Sequence, residues 1–130
     1  MFNPDTFPAL AAFMSSLKTA ARSLKVELII APVHNDAEIE TAIIALGREP
    51  GGGLVVHGDP FMTVHRVPIT LAAARNNVPA VYTLSDFAGE GGFLSYGVDR
   101  VDTFRRAATY VDRILRGAKP GDLPVQFPGP

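Results

Sequence analysis

The chain has 130 residues, 47% of them apolar and 19% charged, with twelve basic against thirteen acidic side chains. This suits one domain with a single core and excludes a disordered segment, and a net charge of -1 gives no electrostatic case for nucleic acid or an anionic membrane surface. With no cysteine, a disulfide framework, a thiol nucleophile and a thiolate metal site are all excluded.

The first element is a helix. Leu10, Phe13, Leu17, Ala20, Ala21 and Leu24 recur at spacings of three and four, with Lys18, Arg22 and Ser23 on the other side, which predicts a helix from about Phe7 to Leu24. The β-branched run Val26–Ala31 predicts a strand stopped by Pro32. Asn35 with Glu38 three residues on predicts a helix N-cap and capping box, after which Ile39, Ile43 and Leu46 face inward and the helix ends before Pro50. Gly51–Gly53 form a turn into the strand Leu54–Val56.

A third helix is expected from near Asp59 or Thr63 to Asn76, kinked or restarted at Pro68. Val78–Tyr82 returns to the sheet, and Thr83–Gly89 reads as a loop with a single helical turn. After a strand at Phe93–Tyr96, Val101, Phe104, Ala108, Val111 and Leu115 make the cleanest apolar stripe in the chain, ended by Gly117 and Pro120. Residues 1–119 thus read as one domain and 120–130, rich in proline and glycine, as an extended tail or linker. The sum is an α/β fold, a doubly wound and mainly parallel sheet with helices on both faces.

In such a sheet ligands bind outside the carboxyl ends of the strands. The predicted rim comprises Asn3, Asp5 and Thr6, His34 and Asn35, Asp59 and Thr63, Ser85 and Asp86, and Tyr96. Each also has a purely structural reading. Asp59 before Pro60 suits an N-cap with proline at N1; Asn3 and Asp5 suit an Asx turn; Asp86 suits the cap of a single turn; and the Tyr96 hydroxyl suits a buried bond to backbone. His34, His57 and His65 lack metal-site spacing, so no metal is expected. No cofactor is expected either, because the glycine triplet precedes a strand instead of following one and no nucleophile elbow or Walker motif occurs. A response-regulator receiver shares the fold, but only Asp59 matches its acidic set. The chain is read as a non-enzyme.

Several segments resemble the ABC-transporter substrate-binding proteins of the tryptophan/tyrosine-binding type. They are Phe2-Asn3-Pro4-Asp5, Ala21–Leu28, Asp36–Glu40, Pro50–Leu54, Asp59-Pro60-Phe61, Thr63–Arg66, Gly91–Gly97 and Tyr110–Gly117. The resemblance covers nearly the whole chain, in order, and implies the second lobe of a two-lobed type 1 periplasmic binding protein, with Leu123–Gln126 starting the returning linker. It further implies a small solute such as an amino acid or related amide, supports Asp59 and Thr63 as hydrogen-bonding partners of its polar head and places the Asp86 loop near the cleft between lobes; with Asn3, Asp5, Thr6 and the Tyr96 ring of the rim, these are the expected ligand-binding residues. The carboxylate of Asp59 would suit an ammonium group. An ABC permease would read the closed two-lobed form, and the location implied is periplasmic or membrane-associated. The N-terminus nevertheless lacks a signal-peptide pattern, and no run approaches the roughly 20 apolar residues of a membrane span.

In such a lobe a strand precedes Asn3-Pro4-Asp5, and here Met1-Phe2 hold its place. The neighbouring ladder is therefore expected to be open and to invite a homodimer. The second functional expectation is accordingly an interaction module that dimerises through its open sheet and no longer binds solute.

Overall fold

Three short parallel strands organise the first of two units seen in a computed structural model, which describes residues 1–127. Tertiary contacts place Met1–Tyr96 in that unit and begin the second at Gly97. The strands are β1 (Leu54–Val56), β2 (Ala80–Tyr82) and β3 (Leu94–Ser95), in sheet order β1-β2-β3. Leu54 is opposite Ala80, Val56 opposite Tyr82, and Tyr82 opposite Ser95. Each crossover between these parallel neighbours is helical, as a parallel sheet requires. The α/β class read from the sequence is the class observed.

Helices α2 (Asp36–Gly47), α3 (Pro60–Val64), α4 (Arg66–Arg75) and α5 (Asp86–Gly89) supply the core against the strands. Ile39 and Ile43 of α2, Met62 of α3, Ile69 of α4 and Phe87 of α5 are fully buried with Val56 and Tyr82 of the sheet. Strand residues alternate between faces, so Leu54 and Val56 enter this core while Val55, between them, is 60% exposed.

The predicted caps form as read. The Asn35 side chain accepts from the Glu38 N–H at 2.9 Å, and Glu38 in turn accepts from the His34 N–H at 2.8 Å. The reciprocal bond thus reaches one residue further back than in the usual capping box. Asp59 caps α3 through the Met62 N–H at 2.8 Å, with Pro60 at N1.

Three expectations are corrected. The first helix, α1, spans Leu10–Leu24, because Asn3–Phe7 is held in a separate hydrogen-bonded turn. The restart of the third helix falls at His65, where α3 gives way to α4, and not at Pro68. Pro68 lies in the first turn of α4, where backbone N–H groups have no intrahelical acceptor and a proline costs nothing. Most consequentially, Val26–Ala31 is not a strand: its one ladder contact nearby is a parallel bridge between Phe2 and Pro32. A β-branched sequence supplies the side chains of a strand, but a ladder also needs a partner backbone, and among the described residues the bridge at Pro32 is the ladder contact formed there.

In the second unit, α6 runs Arg100–Leu115, capped by Asp99 on the Asp102 N–H at 2.9 Å and followed by Gly117 at φ 100°, the left-handed C′ position expected of it. The stripe Val101, Phe104, Val111 and Leu115 is exposed. Pro120–Asp122 form a single 3-10 turn, and the Tyr110 hydroxyl donates to the Pro124 carbonyl. The extended reading of the tail for residues 128–130 falls outside the described residues.

Candidate functional site

The C-terminal ends of the strands bring together residues that are far apart in sequence. Phe2 donates to the Ala31 carbonyl at 3.2 Å and accepts from Val33 at 3.0 Å, while Met1 donates to the Val55 carbonyl at 2.7 Å and accepts from His57 at 3.2 Å. Met1-Phe2 therefore lie between Ala31–Val33 and β1, and Asn3 follows them beside Asp59.

Asp59 is the centre of this corner. It is 4% exposed, and its Oδ2 accepts from the Asn3 N–H at 3.2 Å while its Oδ1 accepts from the Thr6 hydroxyl at 3.0 Å and the Met62 N–H at 2.8 Å. Asn3, equally buried, folds its Oδ1 onto the N–H groups of Asp5 (2.8 Å) and Thr6 (3.1 Å), which is an Asx turn. Thr63 donates to the Asp59 carbonyl at 2.8 Å. Four of the predicted residues, Asn3, Thr6, Asp59 and Thr63, thus form one hydrogen-bonded cluster. The Asp5 side chain is exposed beside it, 3.9 Å from His34, whose Nδ1 lies 3.1 Å from Glu38. Together these last groups give the rim an exposed, anionic lip.

The ends of β2 and β3 complete the rim. The Thr83 hydroxyl accepts from the Gly58 N–H at 2.7 Å, and the Ser95 hydroxyl donates to the Leu84 carbonyl at 2.8 Å. A Cβ on Gly58 would stand 2.3 Å from Leu84 Cγ, so glycine allows the two strand ends to close up. Asp86 is the first residue of α5, and Ser85 is its N-cap residue. Tyr96 donates its N–H to the Tyr82 carbonyl at 2.8 Å and holds its ring 76% exposed, so of its two sequence readings the buried hydroxyl does not apply.

The sequence reading passed over His57 and Thr83. The His57 ring stacks on Phe7 at 3.8 Å, and its Nδ1 is buried without a protein partner among the described residues. Its position directly after the apolar run of β1 was the available signal; the stacking on Phe7, fifty residues away, was not visible locally. His65, read as a polar helix residue, pairs through Nδ1 with Asp36 and stacks on Phe61 at 4.1 Å. Among the described residues no group of three metal-ligating side chains occurs, and no helix is long and apolar enough to cross a membrane.

Burial lowers the Met1 ammonium from 8.0 to about 6, an effect that nearby Asp59 partly offsets. Burial also lowers His57 below its ordinary 6.5, against the pull of Asp59 and with the help of the Met1 charge. Both groups bind fewer protons folded than unfolded, so stability rises with pH through this window and is lost on acidification. The Met1 contribution between pH 8 and pH 6 is on the order of 2 kcal/mol. Urea titrations should show that loss, and Nα-acetylation should remove most of it; an unchanged slope after acetylation would assign the pH dependence elsewhere.

A family model described as ABC transporter substrate binding protein matches residues 1–128. Among solved structures, the chain is similar to the crystal structure of a conserved domain protein from Vibrio cholerae O1 biovar El Tor, with a TM-score of 0.75 and 25% identity. That match covers 96% of this chain and 42% of the other, so the chain spans less than half the length of its solved relative. No curated protein matches.

Proposed function

Because the chain belongs to the ABC transporter substrate-binding protein family, we propose that it is a solute-recognition lobe of an importer, acting without catalysis. The solute is a small polar molecule, an amino acid or related amide, held at the C-terminal ends of the strands. The observation that carries this reading is the rim itself: the end of every strand turns a polar residue toward one edge of the sheet, where ligands of such sheets bind.

The rim residues fall into two groups. Asn3, Thr6, Asp59 and Thr63 bond to one another and give the corner its shape, whereas Asp5 and Tyr96 lie exposed beside it and Asp86 lies exposed at the start of α5. In this reading the acidic groups face an ammonium and the Tyr96 ring lies against the apolar part of the solute. In a two-lobed protein a second lobe closes over the solute and a permease reads the closed form, which places the complete protein in the periplasm or at the membrane. One lobe alone leaves its solute half exposed, so affinity here is expected in the millimolar range.

Titrating the labelled chain with a mixture of aromatic and aliphatic amino acids should move amide resonances of Asp5, Asp59, Asp86 and Tyr96 and leave α6 untouched. Saturating shifts confined to other regions, or none at tens of millimolar, would overturn the reading. A second reading, a module that homodimerises through its sheet, is favoured by the exposure of Val26, Ile29 and Val55. Light scattering after size exclusion separates the two: a ligand-independent dimer with silent rim resonances would favour the second, and a monomer would sink it.

A further inference from the structure

Among the described residues, the single buried side-chain nitrogen or oxygen without a hydrogen-bond partner is Nδ1 of His57. The residue follows directly on β1 and stands two positions before Asp59. Its ring lies against Phe7, with centroids 3.8 Å apart and planes 18° from parallel, which fixes the plane in which both nitrogens point. The side chain is otherwise partly exposed, so Nε2 is the nitrogen that a ligand reaches.

The tautomer follows from this placement. A doubly protonated ring would bury an unpaired, charged N–H, and a neutral ring with its proton on Nδ1 would bury an unpaired donor. With the proton on Nε2 the donor stands in water and only a lone pair is left inside, which is the smaller cost. Burial accordingly holds the imidazolium below its ordinary pKa of 6.5, against the attraction of Asp59. At neutral pH His57 thus offers an uncharged Nε2–H donor near that carboxylate.

The surroundings disfavour an anion at this donor. Asp59 is buried close by, Asp5 and Glu38 form the acidic lip, and the predicted rim residues include no lysine or arginine. The Met1 amino group, brought by burial to about 6, is mostly unprotonated at neutral pH and supplies no countercharge. A carboxylate placed here meets like charge, whereas a neutral carbonyl oxygen accepts from Nε2–H without that penalty. On the reading that the rim is the solute site, we propose that His57 is a specificity-determining residue that selects an amino-acid amide over the free amino acid. Its Nε2–H donates to the carbonyl oxygen of the amide while the acidic lip takes the ammonium of the same molecule.

The test compares three probes on the full chain at neutral pH: leucine amide, leucine, and isopentylamine, which keeps the ammonium and the alkyl group but has no carbonyl. Leucine amide should bind at least about tenfold more tightly than leucine and about three- to tenfold more tightly than isopentylamine. Imidazole nitrogen shifts of histidine-labelled protein should report the Nε2–H tautomer, and leucine amide should move the His57 Nε2 resonance. His57→Gln keeps a donor near the Nε2 position and should keep the preference for amide over amine, whereas His57→Leu should reduce the affinity for the amide to that for the amine. If His57→Leu does not fold, the three probes on the parent chain still decide. Equal affinity for leucine and its amide would overturn the proposal, as would an Nδ1–H tautomer. Amides of Asp59 and Tyr96 that respond to leucine amide while the His57 ring does not would overturn this inference and leave solute recognition standing. A rim silent toward all three probes would overturn both.

Discussion

Replacing Asp59 by alanine should cost about 3–4 kcal/mol of stability, the largest loss from any single polar side chain in the molecule. The helix cap alone accounts for roughly 1 kcal/mol. The remainder comes from the Asn3 and Met62 N–H groups, whose acceptor is the Asp59 carboxylate and which would be left buried without one, at about 1–3 kcal/mol each before partial hydration. The Thr6 hydroxyl adds little, because its residue is exposed and water can replace the lost acceptor. Urea unfolding measures the effect. Asp59→Asn keeps one carbonyl oxygen for these donors and should lose about half as much. A stable Asp59→Ala protein would show that the carboxylate is held for a solute and not for the fold, reversing the division of labour proposed above.

Phe87→Ala should be as damaging, at about 3–5 kcal/mol. The ring is fully buried and stacks on Tyr82 at 4.6 Å with an interplanar angle of 13°. It is the sole fully buried side chain of α5, a helix of four residues that cannot persist by propensity. Its loss should therefore both open a cavity and release the segment that carries Ser85 and Asp86. Tyr82 provides a reporter, since burial raises its phenol above the ordinary 10. In the variant its titration, followed by absorbance, should fall back toward 10, and thermal unfolding should come well below that of the parent. A tyrosine titration that does not move, with an unchanged midpoint, would show that the core repacks around the gap.

Local chemistry made part of this legible in advance. Asn35 with Glu38, Asp59 with Pro60, and Gly117 after α6 each act within a turn of their own position, so the sequence alone specifies them. The Val26–Ala31 run misled because strand propensity describes side chains, whereas a strand exists only in a ladder. Pro68 misled for a related reason: whether a proline breaks a helix depends on how far it sits from the start, and α4 starts at Arg66, two residues before Pro68. For the rim, residue types at the strand ends were readable, but their internal commitments were not. Nothing near Asp59 in the chain announces that both its oxygens are occupied by residues 3 and 6.

That same corner orders events during folding. Asn3 and Asp59 are separated by 56 positions, and closing a loop of that length costs roughly 3–4 kcal/mol in chain entropy before any bond is gained. The cap of α3 by the same carboxylate spans three residues and carries almost no such cost. A refolding chain should therefore acquire the helix cap early and the Asn3 and Thr6 contacts last, after Met1-Phe2 have been laid beside β1. Competence for a ligand at this corner would then appear later in time than secondary structure.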